Sequence, residues 1–218
     1  MSFVDDEGIW VEVKHSKTDS SQYSGRPALF LDRDGTIIEH VPYLHRPEQV
    51  VLLPGAAETI RLANKLTIPV ILVTNQSGIG RDYYNWDDFS NVQNNIYKKL
   101  QQQTGAWIDA ILACPFHIEA SGIFKQLNHP YRKPNPGMLF RAKELLSLDL
   151  KNSWIVGDSA IDISAGKSAG CLGGAHVLTG NTNEEAEIKK IKASDPEGYK
   201  VISINSIKDL PTCIPLFQ

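Results

Sequence analysis

The sequence predicts an α/β fold, a doubly wound and mainly parallel sheet with helices on both faces. Three observations predict it. Short apolar runs recur at Ala28–Leu31, Pro69–Val73, Ile108–Ala113 and Trp154–Val156. They are apolar at consecutive positions, as strands covered on both faces must be. Segments with apolar residues at intervals of three and four lie between them, the period of an amphipathic helix. Several runs also end in polar residues, on the sheet edge where open α/β folds bind ligands. Such alternation calls for helical crossovers between parallel strands.

Residues 1–26 are mostly polar and read as an N-terminal arm, in which Ile9–Val13 alternates and is expected to add an edge strand. Residues 27–218 read as a single domain of Rossmann-like architecture. After the first strand and a loop over His40–Leu53, Pro54-Gly55 opens a helix over Ala56–Lys65, with Ala57, Ile60, Leu62 and Ala63 near helical spacing. The second strand, Pro69–Val73, ends at Thr74-Asn75-Gln76-Ser77-Gly78. Asp87 or Asp88 is expected to cap a long helix carrying Phe89, Val92, Ile96 and Leu100, which Gly105 stops. The third strand, Ile108–Ala113, leads into an irregular stretch from Cys114 to Pro136, long enough to suggest a functional loop. Pro136-Gly137 opens a helix bearing Met138, Leu139, Ala142, Leu145 and Leu146. The fourth strand, Trp154–Val156, ends at Gly157-Asp158. A helix over Ile161–Ala169, a strand near Gly174–Leu178, a charged helix over Glu184–Ala193 and a strand over Lys200–Ile204 follow.

Composition narrows the function classes. With 42% apolar residues the 218-residue chain can bury a substantial core. Its net charge is −3 and no run of Lys and Arg stands out, which argues against a nucleic-acid binder. Cys114, Cys171 and Cys213 are scattered and odd in number, so a reducing compartment is expected rather than a disulfide framework. No apolar run approaches the ~18 residues of a membrane span. The acidic first residues lack the pattern of a signal peptide. Cytoplasmic location, no membrane partner and a monomer are the expectations.

The chemistry gathers at Asp32-Arg33-Asp34-Gly35-Thr36. Residues two apart on an extended segment point to the same side, so Asp32 and Asp34 can face one substrate. Two carboxylates that close do not both stay charged cheaply without a cation or a proton. The plainer reading is a strand end followed by an Asp-Gly turn. An EF-hand is excluded, because the glycine comes too early. Thr74, Asp158 and Lys133 end or follow later strands. Taken singly, Thr74 reads as a turn residue, Lys133 as a solvated loop lysine and Asp158 as a helix cap. Asp162 reads as support for the same helix N-terminus. Their recurrence in chain order on one sheet edge gives them a common purpose.

Asp32-Arg-Asp-Gly-Thr-Ile, Thr74-Asn-Gln-Ser-Gly-Ile, Arg132-Lys-Pro-Asn-Pro-Gly-Met-Leu and Val156-Gly-Asp-Ser together resemble the haloacid dehalogenase-like phosphatase superfamily. Within it, they are similar to the group of heptose-1,7-bisphosphate phosphatases and histidinol-phosphatases. The resemblance spans about residues 27–180. It implies Asp32 as a nucleophile that becomes an aspartyl-phosphate, and Asp34 as general acid and then base. It implies Mg²⁺ held by the Asp32 and Asp158 carboxylates and the Asp34 backbone carbonyl. Thr74 and Lys133 would hold phosphoryl oxygens. His40, Val41, Pro42, Tyr43, Asn75, Gln76, Ser77, Arg132 and Ser159 would contact the rest of a small phosphorylated metabolite. No separate cap domain fits, since one helix and one strand fill the span from Asp34 to Thr74. Between Thr74 and Lys133 there is again one helix, one strand and a loop.

The chain departs from the group at a structural zinc site, usually Cys-x-His and a later Cys-x-Cys. Those positions hold Cys114, Phe116, His129 and Tyr131. Zinc is therefore not expected. Phe116, Ile123, Phe124 and Tyr131 should pack the loop instead, and a makeshift Cys114/His117/His129 set is the alternative. The functional readings are a phosphatase removing the 7-phosphate of heptose 1,7-bisphosphate, a phosphatase of another phosphomonoester such as histidinol phosphate, and a non-catalytic phosphate-binding module. Binding alone does not require Asp34, which favours an enzyme.

Overall fold

The structure is a computed structural model that describes residues 2–14, 23–180, 184–195 and 198–218. Residues 15–22, part of the predicted arm, lie outside the described residues. The strands are β1 (Ser2–Val4), β2 (Trp10–Val13), β3 (Leu29–Leu31), β4 (Val70–Asn75), β5 (Ala110–Cys114), β6 (Trp154–Gly157), β7 (Gly173–Val177) and β8 (Lys200–Ile204). The helices are α1 (Ala56–Lys65), α2 (Ser77–Gly80), α3 (Trp86–Thr104), α4 (Gly137–Leu146), α5 (Ala160–Ala169), α6 (Glu185–Ala193) and α7 (Leu210–Cys213).

One sheet runs in the order β1-β2-β5-β4-β3-β6-β7-β8. Its strands from β5 to β8 are parallel, while β1 and β2 pair antiparallel at one end. The predicted doubly wound architecture is therefore present, with an antiparallel hairpin beside it. β2 is not the edge strand expected for Ile9–Val13, because Ser2–Val4 pairs outside it with Phe3 opposite Val11. Three residues are too few to show a period in sequence.

Side-chain alternation sorts the central strands into two cores. Leu29, Leu31, Val70 and Leu72 join Ile60 and Ala63 of α1 and Phe89, Val92, Ile96 and Leu100 of α3. Phe30, Ile71, Val73 and Ile155 join Met138, Leu139, Ala142 and Leu146 of α4 and Ile163 of α5. Leu62, predicted to face the core, is 36% exposed on α1. Leu145 of α4 is half-buried at the rim of its core. The cap of α3 is Asn85, whose side chain accepts from the Asp87 and Asp88 amides at 2.8 and 3.0 Å, while Asp88 returns a bond to the Asn85 amide. Asp88 is thus the third helical residue of a capping box and not the cap itself. Gly105 ends α3 at φ 72°, as expected.

The chain builds outward from β3 to β4 and β5, then returns to place β6 on the other side of β3. That reversal opens a crevice beyond the carboxyl ends of β3 and β6. No helix among the described residues is long and apolar enough to cross a membrane.

Candidate active site

β3 delivers Asp32, which is 8% exposed, and β6 delivers Asp158 beside it. Gly35 turns the chain between them at φ 80°, where a Cβ would lie 2.2 Å from Asp158 Oδ2. Only glycine satisfies both the left-handed backbone and that close approach. Asp162 enters from the first turn of α5, where its Oδ2 also accepts the Ser159 amide at 3.2 Å. Asp32, Asp158 and Asp162 each offer an oxygen within 4.8 Å of the others.

Lys133 sits among them with its side chain 1% exposed. Its Nζ lies 2.6 Å from Asp32 Oδ1, 2.5 Å from Asp162 Oδ1 and 2.6 Å from the Val73 carbonyl oxygen. Two of the ammonium's three donors are hydrogen-bonded, to Asp32 and to the Val73 carbonyl, and Asp162 is paired with it by charge. Lys133 is thus a buried core of the site, not a solvated loop lysine. Asn75 sets its backbone, donating to the Lys133 carbonyl and accepting the Lys133 amide, each at 3.1 Å. Asn75, expected to grip substrate, spends its amide on Lys133.

Asp34 turns to a different cation. Arg33, 1% exposed, brackets its carboxylate with Nε 3.0 Å from Oδ2 and Nη2 3.1 Å from Oδ1. The two motif carboxylates therefore do not share one counter-charge. Each has its own.

Burial and neighbouring carboxylates act together on Asp32. Burial pushes its carboxyl up to about 8, and the Asp162, Asp158 and Asp34 charges add to this against the pull of Lys133. Burial and then Asp162 push Asp158 up to about 6, against Lys133 and His40. Burial opposes the charge on Lys133, yet the Asp162 and Asp32 carboxylates outweigh it and hold the ammonium above the ordinary lysine range. Three carboxylates with one ammonium form a hard oxygen-donor set with room for a further cation.

A cavity of about 430 Å³ opens over this cluster. Its walls include Asp32, Asp34, Thr74, Lys133 and Asp158, with His40, Val41, Pro42 and Tyr43 on one side and Asn75, Gln76, Ser77 and Ser159 elsewhere.

A family model described as HAD-hydrolase-like matches residues 130–204. A crystal structure of a HAD-like phosphatase from Mesorhizobium loti superposes with a TM-score of 0.76 at 37% identity, covering 89% of this chain and 96% of that one. The D,D-heptose 1,7-bisphosphate phosphatase of B. bronchiseptica, complexed with magnesium and phosphate, superposes with a TM-score of 0.69 at 28% identity, covering 85% and 96%. A D-glycero-β-D-manno-heptose-1,7-bisphosphate 7-phosphatase of Mesorhizobium japonicum is 43% identical over 167 residues, 77% of this chain and 75% of the relative. The chain belongs to the haloacid dehalogenase-like phosphatases, in the heptose-bisphosphate phosphatase group.

The rim of this phosphatase departs from the sequence reading at several points. Arg132 does not reach over the main cavity. Its Nη1 donates to the Phe116 carbonyl at 3.0 Å, and with His117 it walls a smaller neighbouring cavity of about 110 Å³ that shares Lys133. Ser159 lines the main cavity but donates its hydroxyl to Glu184 at 2.9 Å. Arg33, Leu44, Tyr84, Ile161 and Asp162 also line it and were not read as site residues. Arg33 lay inside the motif and Asp162 near another, but nothing in sequence marks Tyr84.

In the Cys114–Pro136 loop, Phe116 stacks on His129 at 3.5 Å between ring centres and meets Phe124 edge-on at 5.4 Å. A Cβ on Gly8, from the N-terminal hairpin, would lie 3.2 Å from the Phe116 ring. Ile123 does not join this packing and is 76% exposed. Among the described residues, Cys114, His117 and His129 form no metal-ligating group.

Proposed function

We propose that this phosphatase removes the 7-phosphate of D-glycero-D-manno-heptose 1,7-bisphosphate, with Mg²⁺ as cofactor and Asp32 as nucleophile. The observation that carries the reading is Lys133 set between Asp32 and Asp162, with Asp158 in the same carboxylate trio, at the base of an open cavity. An Asp32 oxygen attacks phosphorus and the bond from phosphorus to the sugar oxygen breaks. Asp34 gives its proton to the departing alkoxide. Asp34 then takes a proton from water as that water attacks phosphorus, which breaks the bond to Asp32 and frees inorganic phosphate. Thr74 and Lys133 hold phosphoryl oxygens, Lys133 through the donor now spent on Asp32. The Asp32 and Asp158 carboxylates and the Asp34 carbonyl would hold Mg²⁺, which supplies the positive charge an anionic nucleophile needs near an anionic phosphate.

Phosphate release from a panel of both heptose 1,7-bisphosphate anomers, histidinol phosphate and simple sugar monophosphates tests the reading. A heptose bisphosphate should give the highest kcat/KM. A higher value for histidinol phosphate would overturn the substrate assignment.

Removing the metal with EDTA should stop turnover, and Mg²⁺ should restore it. The metal-free protein should also respond to pH in a defined direction. The folded-state values of about 8 for Asp32 and about 6 for Asp158 lie above the ordinary 3.8. The folded state therefore holds more protons than the unfolded state across this window, and these groups contribute less stability as pH rises through it. Mg²⁺ displaces those protons, so the gap in melting temperature between Mg²⁺ and EDTA samples should widen from about pH 5 to about pH 8. A gap independent of pH would contradict it.

Arg132 tests the second phosphate. The cavity it walls adjoins the main one through Lys133. A hydrogen bond to a charged group contributes ~1.5–3 kcal/mol, so Arg132→Ala should lower kcat/KM for the bisphosphate by roughly 10–150-fold. A small monophosphate should lose much less. Equal losses on both substrates would assign Arg132 to bracing Phe116 alone.

A further inference from the structure

Gln76 lines the cavity, yet its side chain is almost entirely buried, at 3% exposure. An amide carries two N–H donors and a carbonyl oxygen with two lone pairs. All four are spent within the protein. Oε1 accepts from Tyr84 Oη at 2.6 Å and from Arg33 Nη2 at 3.1 Å. Nε2 donates to Thr74 Oγ1 at 2.9 Å and to Asp34 Oδ2 at 3.0 Å. A guanidinium only donates, so the oxygen must face Arg33 and the amide has one permitted orientation.

We propose that Gln76 is a positioning residue, and not a substrate contact, that turns the Thr74 hydroxyl into a phosphoryl donor and fixes the orientation of the Asp34 carboxylate. The inference rests on the roles given above to Thr74 and Asp34. Thr74 has one hydroxyl hydrogen. Because its oxygen accepts from Gln76, that hydrogen is left for the cavity, and phosphoryl oxygens can only accept it. At Asp34, Oδ2 receives both Gln76 Nε2 and Arg33 Nε, whereas Oδ1 receives Arg33 Nη2 among the described residues. Oδ1 is the less engaged oxygen, so Gln76 and Arg33 together set which way the Asp34 carboxylate faces. Arg33 anchors the arrangement from behind, with Nη1 3.2 Å from Gln93 Oε1 and the guanidinium 5.4 Å from the Phe89 ring centre. Chains of buried hydrogen bonds with a charged member hold one geometry firmly.

The test is steady-state kinetics of Gln76→Met on whichever phosphate ester the wild type turns over, with melting temperature as a control for folding. Methionine keeps the length of the side chain and removes both donors. Loss of hydrogen bonds to groups acting in the transition state should lower kcat by roughly 10–100-fold, with KM within about threefold. In a Thr74→Val background the same substitution should cost much less, since contacting residues acting as a unit are not additive. A rise in KM with kcat unchanged would make Gln76 a substrate contact and overturn the proposal, as would full additivity with Thr74→Val. Should Gln76→Met fail to fold, Tyr84→Phe removes only a donor that orients the amide. A lower kcat at constant KM then supports the proposal, and a raised KM at constant kcat overturns it. A wild type inactive on every ester would instead fail the functional reading, before any variant is compared.

Discussion

Asp32→Asn should abolish turnover, by roughly 10⁵–10⁶-fold, the scale on which loss of a nucleophile is felt. The protein should stay folded. Asparagine is nearly isosteric, its Oδ1 can accept the Lys133 bond that Asp32 now takes at 2.6 Å, and Asp162 remains as the charge partner. The substitution also removes a carboxyl that burial pushes up to about 8, so the variant should be no less stable than wild type near neutral pH. Asp34→Asn leaves the nucleophile in place and should cost less, ~10²–10⁴-fold, the usual worth of a positioned acid–base. Rates measured beside thermal melts separate loss of chemistry from loss of fold. Near-normal turnover in Asp32→Asn would remove it from the role of nucleophile.

Lys133→Met should have the largest effect on stability. The ammonium is 1% exposed, hydrogen-bonded to Asp32 and the Val73 carbonyl and ion-paired with Asp162. Taking one partner out of a buried ionic cluster leaves uncompensated charge and costs ~3–5 kcal/mol. The sign of its pH dependence follows. Without Lys133 the buried Asp32 carboxylate loses the charge that opposes its burial and is relieved by binding a proton, so the deficit should be greatest at high pH and shrink on acidification. Denaturant unfolding at two pH values measures it. A cost under about 0.5 kcal/mol, typical of a surface position, would return Lys133 to a solvated loop.

Legibility from sequence followed the range of the forces involved. The apolar runs at Leu29–Leu31 and Val70–Val73 declared buried strands because both faces of a parallel sheet are covered. Asp32, Thr74, Lys133 and Asp158 could be placed together because strand order carries their chain positions to one sheet edge. What escaped were choices made by distant partners. Asn85 took the helix cap from Asp87 and Asp88 by a matter of two or three residues, a margin finer than hydrophobic period resolves. Arg33 finds Gln76 and Gln93 from separate elements, so its place beside Asp34 depends on the completed fold. Arg132 walls the smaller neighbouring cavity with one donor on the Phe116 carbonyl, a partner that spacing does not reveal. Ile123 carries its apolar side chain outward, while Phe116 stacks on His129, a pairing that spacing does not reveal.

The most direct test of the account is ³¹P NMR of heptose 1,7-bisphosphate incubated with the purified protein and Mg²⁺. The account predicts that the C7 phosphomonoester resonance is replaced by inorganic phosphate while the C1 glycosyl phosphate persists, and that Asp32→Asn leaves both untouched. Loss of the C1 resonance first, or release of phosphate by Asp32→Asn at the wild-type rate, would contradict it.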